Sequence, residues 1–78
     1  MTEKRNETVK VLLVDDHQVV RAGFRMLLEE IGGFDVAETD SGEKACEYVR
    51  QHPVDVVVMD LSMPGIGGLE AVRRIVSR

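Results

Sequence analysis

The chain has 78 residues, 44% hydrophobic and 31% charged, which suffices for one small domain and excludes a multidomain enzyme. Ten Lys and Arg against fourteen Asp and Glu give a net charge of −4, which argues against a nucleic-acid binder and for cations or basic partners. The one cysteine, Cys46, allows no internal disulfide, and the first apolar run starts only at Val9, so neither a secretory leader nor a membrane span is expected and a cytoplasmic location fits.

Residues 1–8 are polar and charge-mixed, with nothing to bury, and are expected to form a disordered tail ahead of a domain over 9–78. Val9 to Val14 (V-K-V-L-L-V) is a nearly continuous apolar run of strand length, the pattern of a strand covered on both faces, and it runs into two acids, Asp15 and Asp16. From His17 the period changes. Val20, Phe24, Leu27, Leu28 and Ile31 form one stripe of an amphipathic helix, which Gly32 and Gly33 stop because glycine takes positive φ without a Cβ penalty. Phe34 to Thr39, short and carrying Asp35 and Glu38, reads as an edge strand.

Asp40-Ser41-Gly42-Glu43 offers a helix start, with Asp40 or Ser41 as the cap. Ala45, Cys46 and Val49 line the apolar side of that helix, which Pro53 ends by disfavouring helix at the residue before it. Residues 54–59 (V-D-V-V-V-M) form a second buried-strand pattern that again runs into an acid, Asp60. A turn-rich loop, L-S-M-P-G-I-G-G over 61–68, leads to Leu69, Val72, Ile75 and Val76 at helical spacing. The order is β-α-β-α-β-α, and two-sided strands separated by amphipathic helices imply right-handed crossovers around a parallel sheet.

In an open α/β sheet the site lies outside the carboxyl ends of the strands. Asp15 and Asp16 end the first strand and Asp60 the third, neighbours if the strands run in the order 2-1-3. Three carboxylates there repel one another unless a cation bridges them, and a hard oxygen-binding ion, Mg²⁺ or Mn²⁺, is the natural occupant. Asp15 and Asp16 alone would read equally well as solvated loop residues or helix caps; Asp60 at the matching strand end tips the balance to the ion. The bland readings hold for the other candidates. His17 reads as a helix-start residue bonded locally, and Cys46 as a packed, inert thiol. Phe24, Met26, Met59 and Met63 read as packing residues, and Arg73, Arg74 and Arg78 as complements to a helix C-terminal dipole.

Three stretches, V-L-L-V-D-D-H at 11–17, D-S-G-E-K-A at 40–45 and V-V-V-M-D-L-S-M-P-G-I-G-G-L-E at 56–70, resemble the receiver domain of two-component response regulators. D-D-H and M-P-G-I-G-G-L-E look most like the NarL/FixJ group, whose output is a LuxR-type helix-turn-helix. The resemblance implies a flavodoxin-like α/β fold and cytoplasmic phosphorelay signalling that regulates transcription. Asp60 would be the phosphoacceptor, charged by a sensor histidine kinase. Asp16 would be a direct Mg²⁺ ligand, Asp15 one acting partly through water, and the backbone carbonyl of Ser62 a further ligand. Met63, Pro64, Gly65 and Gly68 would shape the loop beside the phosphoryl group.

A complete receiver has five βα units and this sequence holds three. The hydroxyl and lysine that clasp the phosphoryl group, and any DNA-binding domain, belong to parts beyond these residues. A polypeptide of these residues alone is therefore expected to bind metal, to be phosphorylated poorly and to form a homodimer, through pairing of two third strands (2-1-3-3-1-2) or exchange of elements. Two other classes fit less well. A haloacid-dehalogenase-type Mg²⁺-dependent phosphohydrolase wants D-x-D on one strand, and a nucleotide-binding module wants a glycine-rich loop after the first strand.

Overall fold

The computed structural model describes residues 8–60 and 73–75. Five elements run β1 (Val9–Val14), α1 (Gln18–Ile31), β2 (Phe34–Thr39), α2 (Gly42–Gln51) and β3 (Val56–Met59). The strands form one parallel sheet ordered β2-β1-β3, as the two-sided apolar pattern of β1 requires. The register pairs Val9 with Phe34 and Val14 with Thr39 on one side of β1, and Val11 with Val56 and Val14 with Met59 on the other.

Alternation along β1 splits the core in two. Leu12 and Val14, both fully buried, pack with Ala45 and Val49 of α2, joined at the margin by Ala37, Val57, Met59 and Ile75. Val11 and Leu13 point to the other face and pack with Val36, Val58 and Leu28 of α1. Helices thus cover both faces. Cys46 is buried in α2, in keeping with a packed thiol.

The helix ends follow local chemistry. Ser41, not Asp40, caps α2, its hydroxyl accepting the Lys44 amide at 3.1 Å. Asp40 pairs instead with the Lys44 ammonium at 3.0 Å. After α1, Gly32 and Gly33 both take positive φ (+89° and +85°), and the Gly33 carbonyl accepts the Val9 amide at 2.9 Å, tying the turn back to the start of β1.

Two expectations are corrected. The third strand was expected from residue 54 but starts at Val56, because Asp55 spends its side chain on the join: its carboxylate accepts the Lys10 amide at 2.8 Å while its own amide donates to the Lys10 carbonyl at 2.8 Å. The apolar stripe of α1 is also largely uncovered, with Ile31 73% exposed and Val20, Leu27 and Phe24 exposed too, since only Leu28 reaches the sheet core. The helix is held over β2 by ion pairs, which leaves a groove of about 330 Å³ between α1 and β3, lined by Leu13, Phe24, Val58 and Met59 among others.

Residues 73–75 are helical, inside the stretch where the third helix is expected. Leu69, Val72 and Val76, and residues 1–7 of the expected tail, lie outside the described residues. Among the described residues no helix is long and apolar enough to cross a membrane.

Candidate functional site

Asp15 and Asp60 are the first residues past the ends of β1 and β3. Because Val14 and Met59 are register partners, parallel pairing sets the two acids side by side. Two backbone bonds extend the ladder past the strand ends: the Asp60 amide donates to the Val14 carbonyl at 2.9 Å, and the Asp15 amide to the Thr39 carbonyl at 3.2 Å. The end of β1 is thereby held from both neighbours.

Asp16 and His17 follow in the turn into α1, where His17 takes the cap position. Asp15 folds its carboxylate over this turn, accepting the His17 amide at 2.8 Å. One ligand atom from each of Asp15, Asp16, His17 and Asp60 lies within 4.8 Å of the others. Asp15 and Asp60 are 21% exposed at the side chain and Asp16 34%, a partly desolvated group of three acids open on one side.

The His17 imidazole answers that concentration of charge. Its Nδ1 lies 3.0 Å from Asp15, 3.1 Å from Asp16 and 3.6 Å from Asp60. Its pKa is raised above the usual 6.5, first by the hydrogen bond to Asp15 and then by attraction to Asp16, Asp15 and Asp60. Local bonding at the helix start is as the sequence suggests; the reach to Asp60, across to another strand, is not readable from D-D-H.

A second ring of contacts escaped sequence reasoning. Arg21, in the first turns of α1, donates from Nη1 to the Asp15 backbone carbonyl at 2.5 Å and from Nε to Glu38 Oε1 at 2.7 Å. Arg25, one turn on, donates to the other Glu38 oxygen and to the Val36 carbonyl at 3.3 Å. Glu38, between two guanidinium groups, has its carboxyl held below the usual range, by the Arg25 bond first and the Arg21 bond second. The signal was present: two arginines four apart on the helix side facing an acid at the end of an edge strand.

The structure therefore brings Asp15, Asp16 and Asp60 together, with His17 among them. Ser62, Met63, Pro64, Gly65 and Gly68, the remaining site residues expected from the sequence, lie outside the described residues.

Comparison with known proteins gives concordant matches. The response regulator receiver domain family matches residues 11–78. The response regulator UvrY of Escherichia coli is 59% identical over 68 residues, covering 86% of this chain and 31% of UvrY. The response regulator GacA of Pseudomonas aeruginosa is 48% identical over 68 residues, covering 86% of this chain and 32% of GacA. Among solved structures, a two-component response regulator of the LuxR family from Aurantimonas superposes with a TM-score of 0.84 at 44% identity, over 91% of this chain and 51% of that one. A response regulator receiver protein from Pseudomonas putida gives a TM-score of 0.83 at 29% identity, over 91% of this chain and 59% of that one. The chain thus spans about a third of the length of the curated relatives it matches.

Proposed function

Since the chain belongs to the response regulator receiver domain family of two-component signalling, we propose that Asp60 accepts a phosphoryl group from the phosphohistidine of a sensor histidine kinase, with Mg²⁺ or Mn²⁺ held by Asp15, Asp16, Asp60 and the Ser62 carbonyl. The observation that carries this reading is the convergence of three carboxylates from two adjacent strand ends. The donor set suits a hard cation. Its carboxylate oxygens are grouped on a site open to solvent at Asp16, which leaves room for the several waters Mg²⁺ retains.

A carboxylate oxygen of Asp60 forms a bond to phosphorus while the phosphorus–nitrogen bond of the donor breaks, its electron pair leaving with the imidazole, which takes a proton. When bound, the ion offsets the negative charge on the phosphoryl oxygens in the transition state. Asp60 is held for this by the bond from its amide to Val14, which fixes the backbone from which the nucleophile extends. Asp15 and Asp16 supply the negative potential that draws the cation, and the same acids raise the basicity of His17, whose Nδ1 lies 3.1 Å from Asp16.

By the same reading the domain works in the cytoplasm, where a lone cysteine stays reduced, and controls transcription through a DNA-binding domain outside these residues. Isothermal titration of Mg²⁺ into the wild type and Asp60→Ala tests the site. Weak binding that drops several-fold in the variant is expected; equal affinity in the two overturns it.

One observation favours homodimerisation as a second property. Among the described residues β3 pairs only with β1, leaving its outer edge open, and Phe24 of the exposed α1 stripe lines the groove beside Val58 and Met59 of β3. Two β3 edges pairing about a two-fold axis would close both sheets into one. Sedimentation equilibrium at micromolar concentration tests this: a folded species of monomer mass contradicts it, and Val57→Lys should dissociate or unfold the dimer, since Val57 also packs against the α2 core.

A further inference from the structure

Arg21 stands behind the acid cluster, not in it, and it is among the better buried charged side chains, 16% exposed. Its guanidinium works as a two-ended fork: Nη1 on the Asp15 carbonyl, Nε on Glu38. Glu38 is carried by β2, which is paired along its length with β1, so the fork has its base at the end of that strand, and Arg25 shares the same carboxylate. The Asp15 amide is bonded to the same strand end, at Thr39. Both backbone polar groups of Asp15 are thus tied to the end of β2, one directly and one through Arg21.

The consequence reaches Asp16. The Asp15 carbonyl and the Asp16 amide belong to one planar peptide unit, so fixing that carbonyl fixes the plane from which Asp16 departs. From this geometry we infer that Arg21 is a positioning residue of the metal site, setting the separation of the Asp15 and Asp16 carboxylates through the peptide that joins them. The inference rests on the metal-site reading above and assigns a task within it to a residue that touches no ligand atom.

The sign of the effect separates positioning from simple charge. Arg21 lines the same groove as Asp15 and Asp60, and a positive charge there opposes a divalent cation. If Arg21 acted through its charge, removing it would tighten metal binding and lysine would replace it without loss. If it acts by position, removal loosens binding, and lysine, which lacks the planar fork, fails to restore it. Arg25 is the control, since it holds the same Glu38 yet does not reach Asp15.

The test is Mn²⁺ affinity by electron paramagnetic resonance for the wild type, Arg21→Met, Arg21→Lys, Arg25→Met and Asp60→Ala, each checked for folding by circular dichroism. Arg21→Met should bind about 10–100-fold more weakly, the range for losing an outer partner of a metal ligand. Arg21→Lys should be weakened in the same direction, and Arg25→Met should stay within about twofold because it leaves the Asp15 carbonyl untouched. In the metal-free protein the Asp16 amide ¹⁵N shift should move in both Arg21 variants. Should Arg21→Met not fold, Arg21→Lys carries the decision. Binding by Arg21→Met as tight as or tighter than wild type, or full restoration by lysine, overturns the inference while a weakened Asp60→Ala leaves the metal site standing. A wild type that binds no Mn²⁺ overturns both.

Discussion

Replacing Glu38 by Gln keeps the shape of the side chain and removes its charge, so it tests the ion-pair bracket that holds α1 to β2. The carboxylate accepts one charge-assisted bond from Arg21 and one from Arg25. Bonds to charged groups contribute about 1.5–3 kcal/mol when well shielded, whereas exposed pairs contribute about 0–1 kcal/mol. Arg25 has the greater influence on the Glu38 carboxyl, yet it is 39% exposed against 16% for Arg21, so the Arg21 bond should dominate stability although it comes second in the pKa. A glutamine oxygen still accepts one neutral bond, which leaves a net loss of about 1–2 kcal/mol. With a urea slope of about 1 kcal/mol/M for a chain this small, the midpoint at pH 7 should fall by about 1–2 M. The pH dependence has a definite sign. The folded pKa lies below the ordinary 4.5, so the stabilisation is present above 4.5 and is lost as pH falls through the folded value. The gap between wild type and Glu38→Gln should therefore be full at pH 7 and close in acid. Equal midpoints at pH 7, or a gap that does not narrow as the Glu38 carboxyl is protonated in acid, would refute the reasoning.

Other perturbations separate the covered from the uncovered parts of the molecule. Leu12→Ala removes a fully buried side chain between Ala45 and Val49 and should cost about 2–5 kcal/mol, unfolding much of the population as read by far-ultraviolet circular dichroism. Val20→Ala on the exposed stripe of α1 should cost about 0.5 kcal/mol or less in a monomer; a larger loss in the same assay would show that the face is covered in solution. His17 should titrate above 6.5 by NMR, with its stabilising effect complete below 6.5 and lost as pH rises through the folded value, and Asp15→Asn should bring it back toward 6.5. Incubated with acetyl phosphate and Mg²⁺, a protein carrying this receiver domain should gain a phosphoryl label by mass spectrometry that is lost in Asp60→Asn; equal labelling of the two would move the acceptor away from Asp60.

What could be read from the sequence is what depends on period and punctuation. V-K-V-L-L-V announces a strand covered on both faces, which places β1 at the centre, and the acids after β1 and β3 then fall at one sheet edge by the rule for parallel strands. What could not be read depends on where side chains reach across the fold. The pattern V-D-V-V-V-M gives no hint that Asp55 turns its carboxylate onto the Lys10 amide and so delays the regular ladder to Val56. Nor does an apolar stripe say how much of itself will be covered: α1 meets the sheet along a line near Leu28, and ion pairs from Arg21 and Arg25 fix it there whatever remains outside.

The site and the core are nonetheless set by a single choice, the register of β3 against β1. Val57 and Met59 face the α2 side with Leu12 and Val14, while Val58 faces the α1 side with Leu13. A slip of one residue would exchange these faces, sending Val58 toward α2 and Val57 and Met59 toward α1, and would carry Asp60 about 3.3 Å along the strand away from Asp15. That displacement is comparable to the whole spread of the ligand atoms, which lie within 4.8 Å of one another. A two-residue slip would restore the faces but move Asp60 about twice as far, and it would break the bond from the Asp60 amide to Val14 that extends the ladder. The packing of three apolar side chains in β3 thus determines whether three carboxylates meet, and a mutation that only shifts that packing should disturb the site without touching any acid.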